Sequence, residues 1–463
     1  MNKAKVKTST KQPTKQPAPD TFAGRLARYI FFGLLAYMPL HIFLSTVIGV
    51  QFDVLSSVKV AKEFVLLFGF GLAVAASVKK PWFEQLFKDK LFWAIGLFAL
   101  LHLLLMAMRP TDADAELLAL AYNTRYLLFF VYAVLLAHLY NRAHIVKRSV
   151  QIVLGVSVGV LVFGALQYSV LPHNTLERVG YSREAGVLPM FFIDDKIDFP
   201  RVMSTIRDPN SYGSYLLIII ALAASYLRIA RKHSSRYLLV GVLGLALINL
   251  LFTFSRSAWL GLALVVAVLL FFWIQEGRHK KLSKDAKIII TTALIGLAVV
   301  SAGSLYAMRD NYTVQNIVFH ADESTYLETP NEKRIRFWSE STVAIIENPL
   351  GHGPGTAGLP SIRNQEQGTV LNENYYLQIG YEIGIAGLLT FLTILGMVVV
   401  RLWRMSHISV TAVALLASFA GLLLTNFLVH IWANEAVAYT WWGLAGLFIV
   451  LGEQPKKKKS KRH

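Results

Sequence analysis

The sequence predicts an all-α polytopic membrane protein with about twelve transmembrane helices and both termini in the cytoplasm. Three observations lead to that class. Of the 463 residues, 55% are apolar and 16% charged, and mean hydropathy is +0.49, whereas soluble domains carry about 25% charged residues. Apolar runs recur at the length needed to cross about 30 Å of hydrocarbon. Basic residues gather in alternate connections between those runs, the pattern that orients membrane helices.

Residues 1–28 form a basic tail rich in Lys, Thr, Gln and Pro, read as disordered and cytoplasmic because it has little apolar surface to bury. Five spans follow at 29–50, 60–78, 91–108, 117–139 and 149–171, and with the first long outer loop they fill an N-terminal region, 29–200. The first span is too long and begins too late for a cleavable signal peptide. A central region, 201–400, holds spans at 211–229, 237–255, 257–275, 288–308 and 375–399. Two more, at 409–429 and 436–452, lie in 401–452, and a second basic tail occupies 453–463. The outer connections 172–210 and 309–374 are long and polar, a length associated with functional or disordered loops. Within the second, Glu332 to Glu347 sets Ile335, Trp338, Val343 and Ile346 on one helical face and stops at Asn348-Pro349. A helix near the outer membrane surface is therefore expected.

The side of the termini, taken as the tails plus the turns 79–90, 140–148, 228–236, 276–287 and 400–408, carries 31 of the 46 Lys and Arg but 6 of the 28 Asp and Glu. The net charge of +18 thus divides into +25 on the cytoplasmic side and −7 elsewhere. Lys456 to Lys459 are then a topology anchor on anionic membrane lipid, and no nucleic-acid partner is expected. With no cysteine in the chain, disulfides, Cys-ligated zinc, iron–sulfur clusters and thiol catalysis are excluded.

Some polar residues fall where hydrocarbon penalises them. Arg125 sits inside the fourth span, and Lys62 with Glu63 opens the second. A charge at a helix centre costs roughly 2.5–3.5 kcal/mol, so such groups face a protein-lined cavity, snorkel or pair with one another. His41 and His102, each alone on an apolar span, read as packed and hydrogen-bonded. Arginines recur at the outer face: Arg201 and Arg207 before the sixth span, Arg256 between the seventh and eighth, Arg334 and Arg336 in the large loop. Guanidinium groups grip phosphate oxygens through paired hydrogen bonds and keep their charge when partly desolvated. A lipid phosphate or diphosphate in the outer leaflet is the anion that such a membrane-level basic pocket fits. The run GHGPGTAG at 351–358 lacks the Lys-Ser/Thr end of a P-loop and reads as a tight turn. Asp194, Asp195 and Asp198 have the spacing of a metal–diphosphate cluster but lie in a loop ending at Pro200, so no metal site is assigned. Neither HExxH nor a serine nucleophile elbow is present.

Three segments then match a family pattern in order: RVMSTIRDPN from Arg201 to Asn210, TFSRSAW from Thr253 to Trp259, and RIRFWSESTVAIIENPLGHGPG from Arg334 to Gly355 followed by NENYYLQIGYEIGIAG from Asn372 to Gly387. This set, with a large outer loop between spans nine and ten, resembles the O-antigen ligase and Wzy-type polymerase superfamily of bacterial polytopic glycosyltransferases. The resemblance implies a glycan donor on undecaprenyl diphosphate, an acceptor hydroxyl, no cofactor and no metal, and an outward-facing site in the cytoplasmic membrane of a bacterium. Arg201 falls on the family Arg nine residues before the Asn of a Pro-Asn pair, here Asn210. Arg334 falls on the Arg four residues before a Trp, here Trp338. The family's His-Asn pair aligns with Glu373-Asn374, followed by Gly384 and Gly387, so a Glu stands in the His position.

On that resemblance Glu373, Arg334 and Arg201 are the catalytic candidates. Glu373 would accept the acceptor's proton and the two arginines would stabilise the leaving diphosphate. Arg207, Arg336, Asn374, Arg256, Arg125 and Asn210 are the substrate-binding candidates. A Wzy-type polymerase would use the same donor and differ in acceptor. A polytopic transporter or lipid flippase also fits the span count, but it would show related halves and a charged midplane site. An inactive assembly partner would fit the missing His.

Overall fold

The computed structural model describes residues 21–193, 196–277, 330–364 and 369–451. Helix α1 (Phe22–Tyr37) opens on a Thr21 cap whose hydroxyl accepts the Gly24 N–H. Pro39 interrupts the run with a three-residue turn of 3₁₀ helix before α2 (His41–Gln51), because a proline ring cannot continue an α-helical ladder unbroken. The expected span at 29–50 is therefore two helical pieces. Next come α3 (Leu55–Ser77), α4 (Lys90–Met108), α5 (Ala113–Leu139) and α6 (Arg142–Ser169), the last three capped by Asp89, Asp112 and Asn141. A short antiparallel hairpin, β1 (Phe191–Ile193) and β2 (Lys196–Arg201), pairs Phe191 with Arg201. It delivers the chain to α7 (Pro209–Ile229), with Asp208 as cap and Pro209 at its first position, the place where a missing N–H is harmless.

After α8 (His233–Phe252) and α9 (Arg256–Gly277) the described chain resumes with α10 (Pro330–Glu347). Helices α11 (Tyr375–Ser406), α12 (Val410–Leu428) and α13 (Glu435–Gly446) complete it. Counting α1 and α2 as one, ten helices among the described residues are long and apolar enough to cross a membrane. The span expected at 288–308, most of the loop 309–374 before α10, Asp194 and Asp195, residues 1–20 of the first basic tail and all of the second lie outside the described residues, whereas residues 22–28, expected as disordered tail, form the first turns of α1. The run expected to span at 436–452 takes another form. Its helix has 12 residues, about 18 Å at 1.5 Å per residue, and every one is buried in protein.

That short helix explains where the core sits. Trp432 and Trp442 pack against Tyr126 of α5, and Trp441 meets Trp442 edge-on with ring centroids 5.1 Å apart. Gly446 lets α13 reach α5 directly, since a Cβ there would stand 2.4 Å from the Phe130 carbonyl oxygen. Helices α7 and α12 are also largely buried. By contrast α3, α4 and α8 expose many large apolar side chains, among them Phe64, Phe68, Trp93 and Tyr237, the surface a bilayer would cover. One end of the bundle collects the hairpin, α10 and the 348–374 segment; this loop-rich face carries the candidate residues.

Candidate functional site

Arg334, in the first turn of α10, meets Glu373 across the segment that joins α10 to α11. Its Nε and a terminal nitrogen lie 3.0 and 2.9 Å from the same Glu373 oxygen. Both groups remain partly exposed, at 24% and 39% of their side chains, so the pair is open to a ligand. Glu373 has φ +45°, a left-handed conformation uncommon for a residue with Cβ and a frequent mark of functional sites. Asn374 follows as the cap of α11, its side-chain oxygen accepting the N–H groups of Tyr376 and Leu377 at 2.9 and 3.1 Å. Its buried amide oxygen is thus engaged by the helix that positions Glu373. Arg336 turns along α10 to Glu340 at 3.0 Å and lies over the Phe337 ring.

A second group forms where two of the sequence motifs meet. Arg201, at the end of β2, donates from Nε to the Thr253 carbonyl and from a terminal nitrogen to Asn210 Oδ1, both at 3.0 Å. The Val202 N–H completes the junction on the Phe252 carbonyl. Arg201 therefore fastens the start of α7 to the turn between α8 and α9, at whose exit Arg256 begins α9. Arg207 lines a cavity of about 360 Å³ with Arg183, Phe191 and Asp208. The adjoining Lys59, on the first turns of α3, donates to the Ala185 carbonyl at 2.6 Å, and the positive charges of Arg207, Arg363 and Lys62 and the negative charge of Glu435 all act on it. Among the described residues no carboxylate is ion-paired with Lys59, Arg207 or Arg363.

Arg125 belongs to a different environment. One terminal nitrogen lies 3.0 Å from Glu63, the other 3.0 Å from Glu435 and 2.8 Å from the Ala433 carbonyl. The guanidinium sits over Tyr122, with Lys62 3.4 Å from Glu63 and 3.6 Å from Glu435. Two formal positive and two formal negative charges thus neutralise each other between α3, α5 and the start of α13. His41 is buried against Tyr37, at 3.1 Å from its hydroxyl. His102 is buried too, and both its ring nitrogens have partners, Phe98 O and Asn123.

The glycine-rich run is a turn with a defined purpose. Helix α11 is broken at Gly384, whose φ and ψ are +72° and −175°, a region essentially reserved to glycine. Into the break fits the 349–355 segment, itself bent by positive φ at Gly351, Gly353 and Gly355. The carbonyls of Tyr381 and Glu382, left free by the break, accept the His352 and Gly353 N–H groups at 2.8 and 3.0 Å, and Pro349 accepts from Ile385 at 2.9 Å. The fully buried Glu382 carboxyl accepts the Gly355 N–H at 3.0 Å and the Asn123 amide at 2.9 Å. Arg109 donates to the Gly351 carbonyl, and Thr111 to that of Pro354 at 3.2 Å. His352 stacks on Tyr381; burial, with the nearby Arg109 charge, holds its imidazole below the ordinary histidine range. Sequence reading missed Lys59, Arg363 and Glu382. Among them only Glu382, a carboxylate flanked by apolar residues in a span, left a visible signal.

A multi-pass helical membrane protein with arginines, lysine and an open carboxylate gathered on one loop-rich face is the class that these features define. Residues 240–392, about a third of the chain, match the family described as O-Antigen ligase, which supports the resemblance to the O-antigen ligase and Wzy-type superfamily that the motifs carry. The match contains the Thr253, Arg334 and Asn372 motifs and leaves the Arg201–Asn210 segment outside. An uncharacterized protein of Haemophilus influenzae is 28% identical over 156 residues. That alignment takes in 30% of this chain and 37% of the relative, so the chain spans little more than a third of the curated relative's length.

Proposed function

We propose that the protein transfers a glycan from undecaprenyl diphosphate to an acceptor hydroxyl at the outer face of the cytoplasmic membrane, in the assembly of a surface polysaccharide. The Arg334–Glu373 pair carries this reading: an open carboxylate, fixed by a guanidinium, at the position of the family's His. The acceptor oxygen attacks the anomeric carbon, the bond from that carbon to the phosphate oxygen breaks, and the acceptor proton passes to a Glu373 oxygen. Negative charge grows on the departing diphosphate. Lys59, Arg207 and Arg363 suit its binding best, because no carboxylate among the described residues is ion-paired with them, and pre-placed positive charge needs little reorganisation as the bond breaks. Arg201 and Asn210 hold the turn beside them, and Arg256 extends the basic surface.

Glu373 in place of the His of the ligases favours keeping a second reading, a Wzy-type polymerase acting on the same donor. Analysis of surface glycan in a deletion strain separates the two. Single repeats still attached indicate a lost polymerase; lipid-linked polymer that accumulates indicates a lost ligase. The transfer reading itself is tested in vitro with a lipid-diphosphate glycan and the Glu373→Gln and Arg334→Ala variants. Turnover is expected to fall by about 10²-fold or more, and near-wild-type turnover by both would refute the roles.

A further inference from the structure

A third basic site lies at the other end of the bundle, away from the face just described. The turn before α4, the last turns of α11 and the residues after α13 enclose a cavity of about 470 Å³. Lys88, Lys90, Arg401 and Arg404 line it, with Asp89 as the carboxylate among them. That carboxylate is already engaged: its Oδ1 caps α4 at the Leu91 N–H and also accepts from Arg401. No carboxylate is ion-paired with Lys88, Lys90 or Arg404 among the described residues. Arg401 spends one terminal nitrogen on Asp89, while the other, Nη1, is buried and has no hydrogen-bond partner among the described residues. A buried donor of that kind normally has an acceptor. The remaining wall is apolar, formed by Met397 and Phe448 among others.

We propose that this cavity binds the phosphate of an anionic glycerophospholipid of the inner leaflet, with an acyl chain along the Met397 and Phe448 wall. Three features converge on that chemistry. Phosphate oxygens would supply the acceptor that Arg401 Nη1 lacks and a counter-charge for the three uncompensated cations. The apolar wall suits a hydrocarbon tail, which a free anion does not have. The cavity lies at helix ends that the charge partition of the sequence assigns to the cytoplasmic side.

The test uses the full-length protein in nanodiscs of phosphatidylcholine with increasing phosphatidylglycerol, reading the thermal unfolding midpoint and lipid retention by native mass spectrometry. A Lys88→Ala/Lys90→Ala/Arg404→Ala variant leaves the Arg401–Asp89 pair intact and removes the three uncompensated charges. A Lys232→Ala/Arg236→Ala variant removes two cations at the turn before α8 and controls for general attraction to a charged bilayer. Wild type and control should retain phosphatidylglycerol and gain stability from it, while the triple variant binds at least about tenfold more weakly. An equal response of the triple and control variants would reduce the site to non-specific surface charge and overturn the proposal. So would inorganic phosphate stabilising the detergent-solubilised protein as well as the lipid does, since that would make the ligand a free anion.

Discussion

Replacing Glu382 with Ala should release the 349–358 segment from α11 without unfolding the bundle. The carboxyl takes well-formed hydrogen bonds from the Gly355 N–H and the Asn123 amide, at 3.0 and 2.9 Å, and a marginal one from Gln378 at 3.4 Å. In the Ala variant the first two donors stay buried, at about 1–3 kcal/mol each. Asn123 keeps its 3.2 Å contact with His102, which lowers its share, and the total is then about 2–5 kcal/mol. At 1.4 kcal/mol per tenfold, local opening becomes roughly 30- to 3,000-fold more frequent. Hydrogen exchange read by mass spectrometry on peptides covering 349–358 measures this directly. The loop connects Arg334 on α10 to Glu373, so transfer activity should fall with the lost protection. Glu382→Gln should be milder, because Gln378 Oε1 is buried without a partner and can turn to accept from the introduced amide. Unchanged exchange in 349–358 in the Ala variant would refute the reasoning, whatever the activity does.

Arg125→Ala should destabilise the whole protein, by about 3 kcal/mol, because it leaves the single charge of Lys62 to balance both Glu63 and Glu435; a thermal melt and expression level check this. Gly384→Ala places a Cβ 2.3 Å from the Pro349 carbonyl oxygen at a positive φ and should lose activity through displacement of the same loop, detectable as increased proteolysis near 349–355. Lys59→Ala with Arg363→Ala should lower kcat/KM for the lipid donor by about tenfold or more, with a loss in kcat, because the charge they offset grows as the bond to the diphosphate breaks; steady-state kinetics with the lipid donor check this. The lowered imidazole of His352 gives a pH dependence. Its stabilising neutral form is favoured above the unfolded value near 6.5, and stability in the 349–358 segment is lost as pH falls from there toward the lower folded value. Exchange of that segment should accelerate on the acid side, and His352→Gln should flatten the change.

Helix positions were legible because transmembrane length and apolarity are properties of contiguous residues. Pro39 was visible as a residue, but its effect on a run that stays apolar on both sides was not. The run at 436–452 reads as a span because a helix buried in protein and one facing lipid have the same apolarity, and the 12-residue helix with its tryptophan packing around Trp441 and Trp442 is a property of the fold. The motifs single out Arg201, Arg334 and Glu373 and the nine-residue spacing from Arg201 to Asn210, but neither the hydrogen bond between those two nor which arginines are already neutralised. That depends on partners such as Glu63 and Glu435, separated from Arg125 by 62 and 310 residues. Lys59 and Arg363 are about 300 residues apart in sequence and come near Arg207 only in the fold, where the loop at Ala185 meets α3 and the 359–363 turn lies against α5.

The ion quartet of Lys62, Glu63, Arg125 and Glu435 has a bearing on how the protein responds to an energised membrane. Moving one elementary charge through 100 mV is worth about 2.3 kcal/mol, enough to bias a conformational step. Four charges that sum to zero and sit within a few ångströms of one another give the field almost nothing to act on when they move as a unit. The group can therefore fix α13 to α3 and α5 inside a polarised bilayer without making that joint a voltage sensor.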